Sequence, residues 1–373
     1  MMKILYVTTI SNTLNAFLVS HIQELVNAGH KVDIACKVEK PLSDALLENT
    51  RNFYELEFNR SPRKNNFLRL IKQVRQLVCQ EEYDIVHTHT PIASAVVRLA
   101  CKGIEKTRVF YTAHGFHFLK GGPLFSWLIY YPIEKILSRY TDTLITINKE
   151  DYSIAKKKFK MKHLHLVPGV GVDLEKFYPV SSDEKLAIKK QLGLETDKKY
   201  LICIGELNIN KNQILLIKMM EILCKEREDI VLLLVGSGHL ERQLQQLVNQ
   251  LNLERYVRFL GYRNDIADLL KASDIALSSS KREGLPVNLI EAMATGLPLI
   301  VTNCRGNRDL VQNFQNGFVL ERSEQKNFSR FVTSLLDKPN HHRRMYKNNL
   351  NLVSSYSISK IMSMMEKIYI VDK

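Results

Sequence analysis

Two glutamates, Glu283 and Glu291, stand with seven residues between them in SSSKREGLPVNLIEAMATGLP (Ser278 to Pro298), a stretch otherwise rich in small and apolar residues. DIALSSS ends an expected strand, Glu283 and Gly284 make the turn, and Pro286 suits a first helical position, where its missing N–H costs nothing. The spacing predicts a helix over Val287–Ala294, with Gly296 just past its end. Free N–H groups at that start, with the positive end of the helix dipole, make an anion site. Acids on either side of such a site do not bind the anion; they accept hydrogen bonds from hydroxyl groups beside it. The commoner fate of two such glutamates is different: Glu283 offsets Lys281 and Arg282, and Glu291 faces solvent. Glu291, however, lies among Leu289, Ile290, Ala292 and Met293, and a carboxylate on a buried helix needs donors. Sugar hydroxyls would supply them.

Absent motifs narrow the chemistry. There is no GxxxxGK[ST] phosphate loop, and GVGVD at Gly169 and GSGHLE at Gly236 lack the third small residue of a dinucleotide fingerprint. No Asp-x-Asp occurs, so a nucleotide diphosphate would be held by backbone and cations rather than by a carboxylate-bound metal. Six scattered cysteines without CxxC spacing point to a reducing cytoplasm and no zinc site. His87 and His89 share a strand face, with His114 and His117 expected nearby. Without a carboxylate or cysteine at ligand spacing no metal is assigned, and His87 and His89 are placed at a strand end near the acceptor.

These residues need elements to hold them. A chain of 373 residues, 45% hydrophobic and 25% charged, suits two globular domains rather than a disordered or disulfide-rich chain. Val/Ile-rich runs alternate with amphipathic segments, the mark of βαβ units. Strands are expected at 3–9, 31–36, 84–90, 109–115, 143–149 and 164–169, with helices at Ala16–Ala28, Phe67–Gln80 and Leu124–Ser138. After a polar passage whose start, GVDLEKFYP, is taken as the linker, strands follow at 200–207, 230–238, 256–262, 274–280, 298–303 and 317–320, with helices at Asn212–Glu226 and Leu240–Leu251. The expected fold is α/β: two Rossmann-like doubly wound domains, 1–180 and 181–354, facing a central cleft at the carboxyl ends of their strands. The final segment, about 355–373, is expected to be a helix packing back on the first domain. MMKILYVTTI reads as a first strand rather than a signal peptide, and FSWLIYYPIEKIL is broken by Pro132, Glu134 and Lys135, so membrane contact is expected to be peripheral.

A formal charge of +14 calls for an acidic partner. Arg60, Arg63, Lys64 and Arg69 interleave with Phe67, Leu68 and Leu70, a pairing suited to anionic headgroups, although a solvated helix face explains such a run equally well. No nucleic-acid-binding signature appears.

E-x7-E after a strand, opening a small-residue helix, resembles the signature of retaining GT-B glycosyltransferases, in particular family 4. GELNINKN (205–212), LVGSGHLE (234–241), VRFLGYRNDI (257–266) and VPGVGVDLEKFYP (167–179) are similar to that family's loops in order and spacing. DIVHTHTP (84–91) and YTAHGFHF (111–118) resemble the branch that builds bacterial capsular and exopolysaccharides. The resemblance implies that Glu283 binds donor-sugar hydroxyls, Glu291 the ribose, and Lys211 the diphosphate leaving group, with the backbone N–H groups of the segment that runs from Gly284 and Leu285 through Pro286 and Val287 to Asn288 completing the anion site. It puts Gly205, Glu206, Gly236, Tyr262 and Arg263 at the donor, His114 against its sugar, and Asn15 with His87 and His89 at the acceptor. Arg60, Arg63 and Lys64 fall to the membrane. The implied substrates are a nucleotide sugar, with UDP expected, and a polyprenyl-diphosphate-linked oligosaccharide at the inner face of the cytoplasmic membrane, with no metal or other cofactor. Where the family usually has Arg, this chain has Glu206; either it points away or a cation such as Arg282 or Arg305 offsets it. A nucleotide-sugar epimerase and a non-catalytic sugar-binding protein of the same fold are the alternatives.

Overall fold

The computed structural model describes residues 1–321 and 325–371. They form two compact units, Met1–Val170 with Ile358–Lys373, and Gly171–Ser357. The division falls inside VPGVGVD, before residue 180, because Val172 already belongs to the second unit: its N–H donates to Tyr356 O at 2.9 Å.

The first unit carries β1 (Lys3–Ile10), β2 (Lys31–Lys37), β3 (Phe53–Glu55), β4 (Ile85–Thr88), β5 (Arg108–Ala113), β6 (Thr143–Thr146) and β7 (His163–Leu166). They form one parallel sheet in the order β3-β2-β1-β4-β5-β6-β7. Alternation along β1 sends Ile4 and Tyr6 to one core and Leu5 and Val7 to the other, so the strand reads as an unbroken apolar run buried on both faces. The Ile358–Val371 helix packs Ile361, Met365, Ile368 and Tyr369 into the core that holds Ile4 and Tyr6. This is the return to the first unit that the sequence led one to expect.

The second unit carries β8 (Lys199–Ile204), β9 (Ile230–Val235), β10 (Val257–Gly261), β11 (Ile275–Ser278), β12 (Leu299–Thr302) and β13 (Gly317–Leu320), a parallel sheet in the order β10-β9-β8-β11-β12-β13. Both units are therefore doubly wound, and in each the strand order reverses once, at β1/β4 and at β8/β11. Loops leaving the carboxyl ends diverge there, which makes those two points the places to look for ligands.

Several element ends differ from expectation for local reasons. The 143–149 strand stops at Thr146, because Asn148 caps the Lys149–Lys158 helix by accepting from Asp151 N–H. The helix expected from Asn212 starts at Ile214, since Asn212 takes a left-handed φ of 54°. The Ala16–Ala28 helix is two, Ser11–Phe17 and Val19–Asn27, separated by Leu18 at φ −120°. The rest of the polar passage, after its linker start, holds a helix that was not expected, Ser182–Gln191, capped by Ser181. β3 was not expected: three residues on a sheet edge leave almost no periodicity.

Candidate active site

In the second unit the site grows from three strand ends. Past β8, the Lys211 N–H donates to Asn208 Oδ1 (2.9 Å), and Ser279 Oγ donates back to Lys211 O (2.7 Å). The Lys281 N–H donates to Asn210 O at 2.7 Å, so the 205–213 loop is fastened to the loop after β11. The result is an ion pair, Lys211 Nζ to Glu283 Oε1 at 2.7 Å, with both side chains largely buried. The glycines make the close approaches possible. A Cβ on Gly236 would come 2.3 Å from Gly205 O, and one on Gly306 would come 2.4 Å from Gly284 O. Arg305, buried at the start of the Arg305–Leu310 helix, donates from Nε to the Glu283 carbonyl (3.1 Å).

The Val287–Ala294 helix has the bounds its sequence predicts, with Pro286 just before it. Leu285 and Pro286 are buried, and Gly284 carries the turn. Asn288 Nδ2 donates to Ile204 O at 2.7 Å, which locks the helix onto the end of β8. That side chain is thereby committed to the framework, and what the first turn offers an anion is its backbone N–H groups. One turn on, burial pushes the Glu291 carboxyl up to about 7, and the opposing pull of Lys176 is the smaller effect. Among the described residues no hydrogen-bond donor reaches it.

Glu206 is exposed and its side chain pairs with no cation among the described residues; its carbonyl accepts from Gln213 Nε2 (3.0 Å). Of the two cations weighed against it, Arg282 is exposed and Arg305 is the one at the site. On the loop after β10, Tyr262 is exposed and Arg263 Nε is held by Asp265 at 2.8 Å. That loop meets the site's framework where Gly236 N–H donates to Gly261 O, at 2.7 Å.

In the first unit the β1/β4 reversal gathers rings instead of charges. His87 is fully buried between Tyr369 Oη (2.5 Å from Nδ1) and Thr112 Oγ1 (2.8 Å from Nε2). Both its nitrogens are spoken for, so it does not face an acceptor; it is a brace of the strand end, contrary to expectation. His89 Nδ1 lies 3.2 Å from His114 Nε2, and the His89 ring stacks on Tyr6. The buried His89 Nε2 has no partner. An orphaned acceptor is tolerated more readily than an orphaned N–H, which puts the shared proton on His89 Nδ1 and leaves His114, half-buried, with Nδ1–H to donate. Burial holds His87 and His89 well below the usual histidine range and takes His114 down to about 4. His117 sits apart, against Tyr130. Among the described residues no three His, Cys, Asp or Glu side chains are grouped to hold a metal ion.

The remaining assignments are less tightly placed. Asn15 spends its amide on the 41–43 turn, donating to Pro41 O (2.8 Å) and accepting from Ser43 N–H (3.0 Å), so it braces the fold rather than meeting an acceptor. Arg60 pairs with Glu39 at 2.8 Å, while Arg63 and Lys64 are exposed on one short turn. The sequence reading missed Gly306, Thr112 and Tyr369. The first two follow parallel strands or end them, a position that makes any residue a candidate; Tyr369 arrives from a distant helix and left no local signal.

Comparison with known proteins gives the family. Residues 184–351 match the family model "Glycosyl transferases group 1", and residues 3–148 match "Glycosyl transferase 4-like". The chain is 34% identical to EpsD of Bacillus subtilis, over 98% of this chain and 96% of that protein. It is 31% identical to the UDP-Gal:alpha-D-GlcNAc-diphosphoundecaprenol alpha-1,3-galactosyltransferase of Escherichia coli, over 94% of this chain and 89% of the other. Among solved structures, Anabaena HepE in complex with UDP superposes with a TM-score of 0.81 at 18% identity, covering 99% of each chain. Sucrose-phosphate synthase of Thermosynechococcus elongatus gives 0.83 at 20%, covering 98% of each.

Proposed function

Because this chain belongs to the GT-B glycosyltransferases of family 4, we propose that it moves a hexose or N-acetylhexosamine from a UDP-sugar to a polyprenyl-diphosphate-linked oligosaccharide, with retention and without a metal ion. The observation that carries the donor side is a pair of partly buried acids around one helix start. Among the described residues Glu283 is paired with Lys211, and no hydrogen-bond donor reaches Glu291. Both arrangements are costly without a ligand and are relieved by one with hydroxyls at each end and phosphates between. In the loaded site Lys211 turns to the diphosphate, Glu283 to sugar hydroxyls, and Glu291 to the ribose. The bond from the anomeric carbon to the diphosphate oxygen breaks, with Lys211 and the helix N–H groups taking the negative charge that develops. The acceptor hydroxyl attacks from the face the diphosphate leaves, and its proton passes to a departing phosphate oxygen. His114 offers Nδ1–H to a substrate hydroxyl and remains neutral at pH 7. The lipid-linked acceptor and attachment to the inner face of the cytoplasmic membrane rest on the galactosyltransferase relative and on the exposed cations.

The test pairs Glu283→Gln with the native chain, offering UDP-sugars and a synthetic polyprenyl-diphosphate disaccharide in EDTA, and reads the product's anomeric configuration by NMR. We expect an axial, donor-like linkage from the native chain and a fall of about 10³-fold or more from Glu283→Gln, in line with the loss of a preorganised charge at the reacting centre. Full activity in the variant, inversion, or silence until a divalent metal is added would each overturn the corresponding part of the proposal.

A further inference from the structure

The Leu124–Leu137 helix of the first unit is built the wrong way round for a surface helix. Its inner face carries Trp127, Tyr130 and Tyr131, packed against the cluster that holds Phe118, and the buried Leu137, with Trp127 Nε1 donating to Leu119 O at 3.0 Å. Its outer face carries Leu124 (74% exposed), Phe125 (68%), Leu128 (67%), Ile133 (47%) and Ile136 (56%). Pro132 lies among them and is exposed too, and the helical angle of 100° per residue places all six on one half of the cylinder. Scattered exposed leucines need no explanation, but a contiguous apolar stripe along about four turns does.

Charge says what covers it. Glu134 is the only acid in the helix, and it points inward to a buried pair with Arg98 at 2.9 Å. Lys135 and Arg139 are exposed on the outer half toward the carboxyl end, and Lys120 is exposed just ahead of the amino end. An apolar stripe between cations, with no exposed acid of its own, fits an anionic bilayer surface. In a chain of net charge +14 it fits a second copy poorly, since like charges would meet around the contact. The Arg60–Arg69 segment, by contrast, exposes cations around a single large apolar side chain, Leu68. It can attract a membrane but has little to insert.

We infer that the outer face of the Leu124–Leu137 helix is the element that inserts this protein into the headgroup boundary of an anionic membrane, lying in the plane of the surface. The inference deepens the membrane part of the proposed function and is independent of the donor site. Among the described residues no helix is long and apolar enough to cross a membrane, so the contact is superficial.

The chain's single tryptophan, Trp127, lies on this helix and reports on it. The full chain is mixed with vesicles of phosphatidylcholine alone or with one-third phosphatidylglycerol, the latter also made with brominated acyl chains. Sedimentation and Trp127 quenching are read at low and high salt. We expect binding to the anionic vesicles that weakens with salt, quenching by the brominated lipid, and a loss of more than about tenfold in partitioning for Leu128→Glu/Ile133→Glu. UDP-induced thermal stabilisation of the same variant, expected to match the native chain, shows that it folds and keeps its donor site. Binding of UDP without binding of vesicles overturns this inference alone; vesicle binding without any nucleotide response overturns the donor reading alone. Undiminished vesicle binding by the variant moves the contact elsewhere and sinks the assignment. A native dimer in vesicle-free sedimentation that the variant abolishes would make the face an interface between copies instead.

Discussion

At the β8/β11 reversal the chain gathers charge, and at the β1/β4 reversal it gathers rings that stay neutral. The two places are topologically alike, each where parallel strands part company and leave room at their carboxyl ends. Yet one holds Lys211, Glu283, Glu291 and Arg305, and the other His87, His89, His114, Thr112, Tyr6 and Tyr369. On the proposed function, the difference answers to the two substrates. A leaving diphosphate demands fixed charge, and fixed charge must be balanced when the ligand is absent, hence the Lys211–Glu283 pair. A neutral hydroxyl demands only donors and acceptors held in place, and a histidine stripped of its charge by burial supplies those without attracting an ion.

The comparison breaks most sharply at Lys211. Its replacement by alanine is expected to lower kcat by about 10²–10³-fold, measured under saturating donor, because the charge it answers appears mainly as the diphosphate departs. It should also destabilise the unliganded fold, since Glu283 is left partly buried and unpaired. Lys211→Ala/Glu283→Gln should then be more stable than Lys211→Ala alone. Two destabilisations that simply add would mean the pair is not a placeholder for the ligand.

Glu291 sharpens the contrast through pH. Its carboxyl stands at about 7 in the fold against about 4.5 in the unfolded chain, so the folded state holds its proton longer. Stability on this account is full below about pH 4.5 and declines as pH rises to about 7, then levels. Glu291→Gln lacks that decline and should be more stable than the native chain by about 1–3 kcal/mol at pH 8 in urea titrations. The same variant should bind UDP about 10–100-fold more weakly at pH 8, because the ionised carboxylate is the better acceptor for ribose hydroxyls. Between pH 5 and 7, native UDP binding should release protons, read by calorimetry in buffers of different ionisation enthalpy. The absence of proton release would remove Glu291 from the ribose.

His114 gives the opposite slope. With its folded pKa near 4 and its unfolded one near 6.5, the unfolded chain takes up the proton first as pH falls. Stability from this group is complete above about pH 6.5 and is lost progressively toward pH 4. His114→Asn should flatten that limb while leaving the Glu291 limb untouched. If acid destabilisation were unchanged, buried His87 and His89 would be carrying it instead.

How much of this could be read from residues alone follows the same division. The charged reversal was legible because its chemistry sits in one continuous stretch: strand, Glu283, Gly284, Pro286, helix, Glu291. The neutral one was half legible. DIVHTH and YTAHGF announced histidines at strand ends, but nothing local says that Tyr369, from the far end of the chain, closes on His87 and removes it from contact. Asn15 misled for a related reason, since an amide near a strand end can brace a turn as well as it can meet a ligand. The exposed face of the Leu124–Leu137 helix was not legible, because a run apolar nearly all round does not say which side faces out.

Glu206 carries the smallest predicted effect. A carboxylate beside a diphosphate is repulsive, and on the sequence alone Glu206 had either to point away or to be offset by a nearby cation. In the structure its side chain is exposed and pairs with no cation among the described residues, while the cations beside Glu283 are Lys211 and the buried Arg305. A solvated charge interacts weakly across high dielectric, so Glu206→Arg should change UDP affinity by less than about threefold at 0.15 M salt, and less still at 0.5 M. Arg305→Gln, altering the cation that is buried, should weaken UDP by about tenfold or more at either salt. A large gain from Glu206→Arg with little loss from Arg305→Gln would mean that the charge at this reversal is balanced from the solvent side, and that its likeness to a buried, preorganised site is only topological.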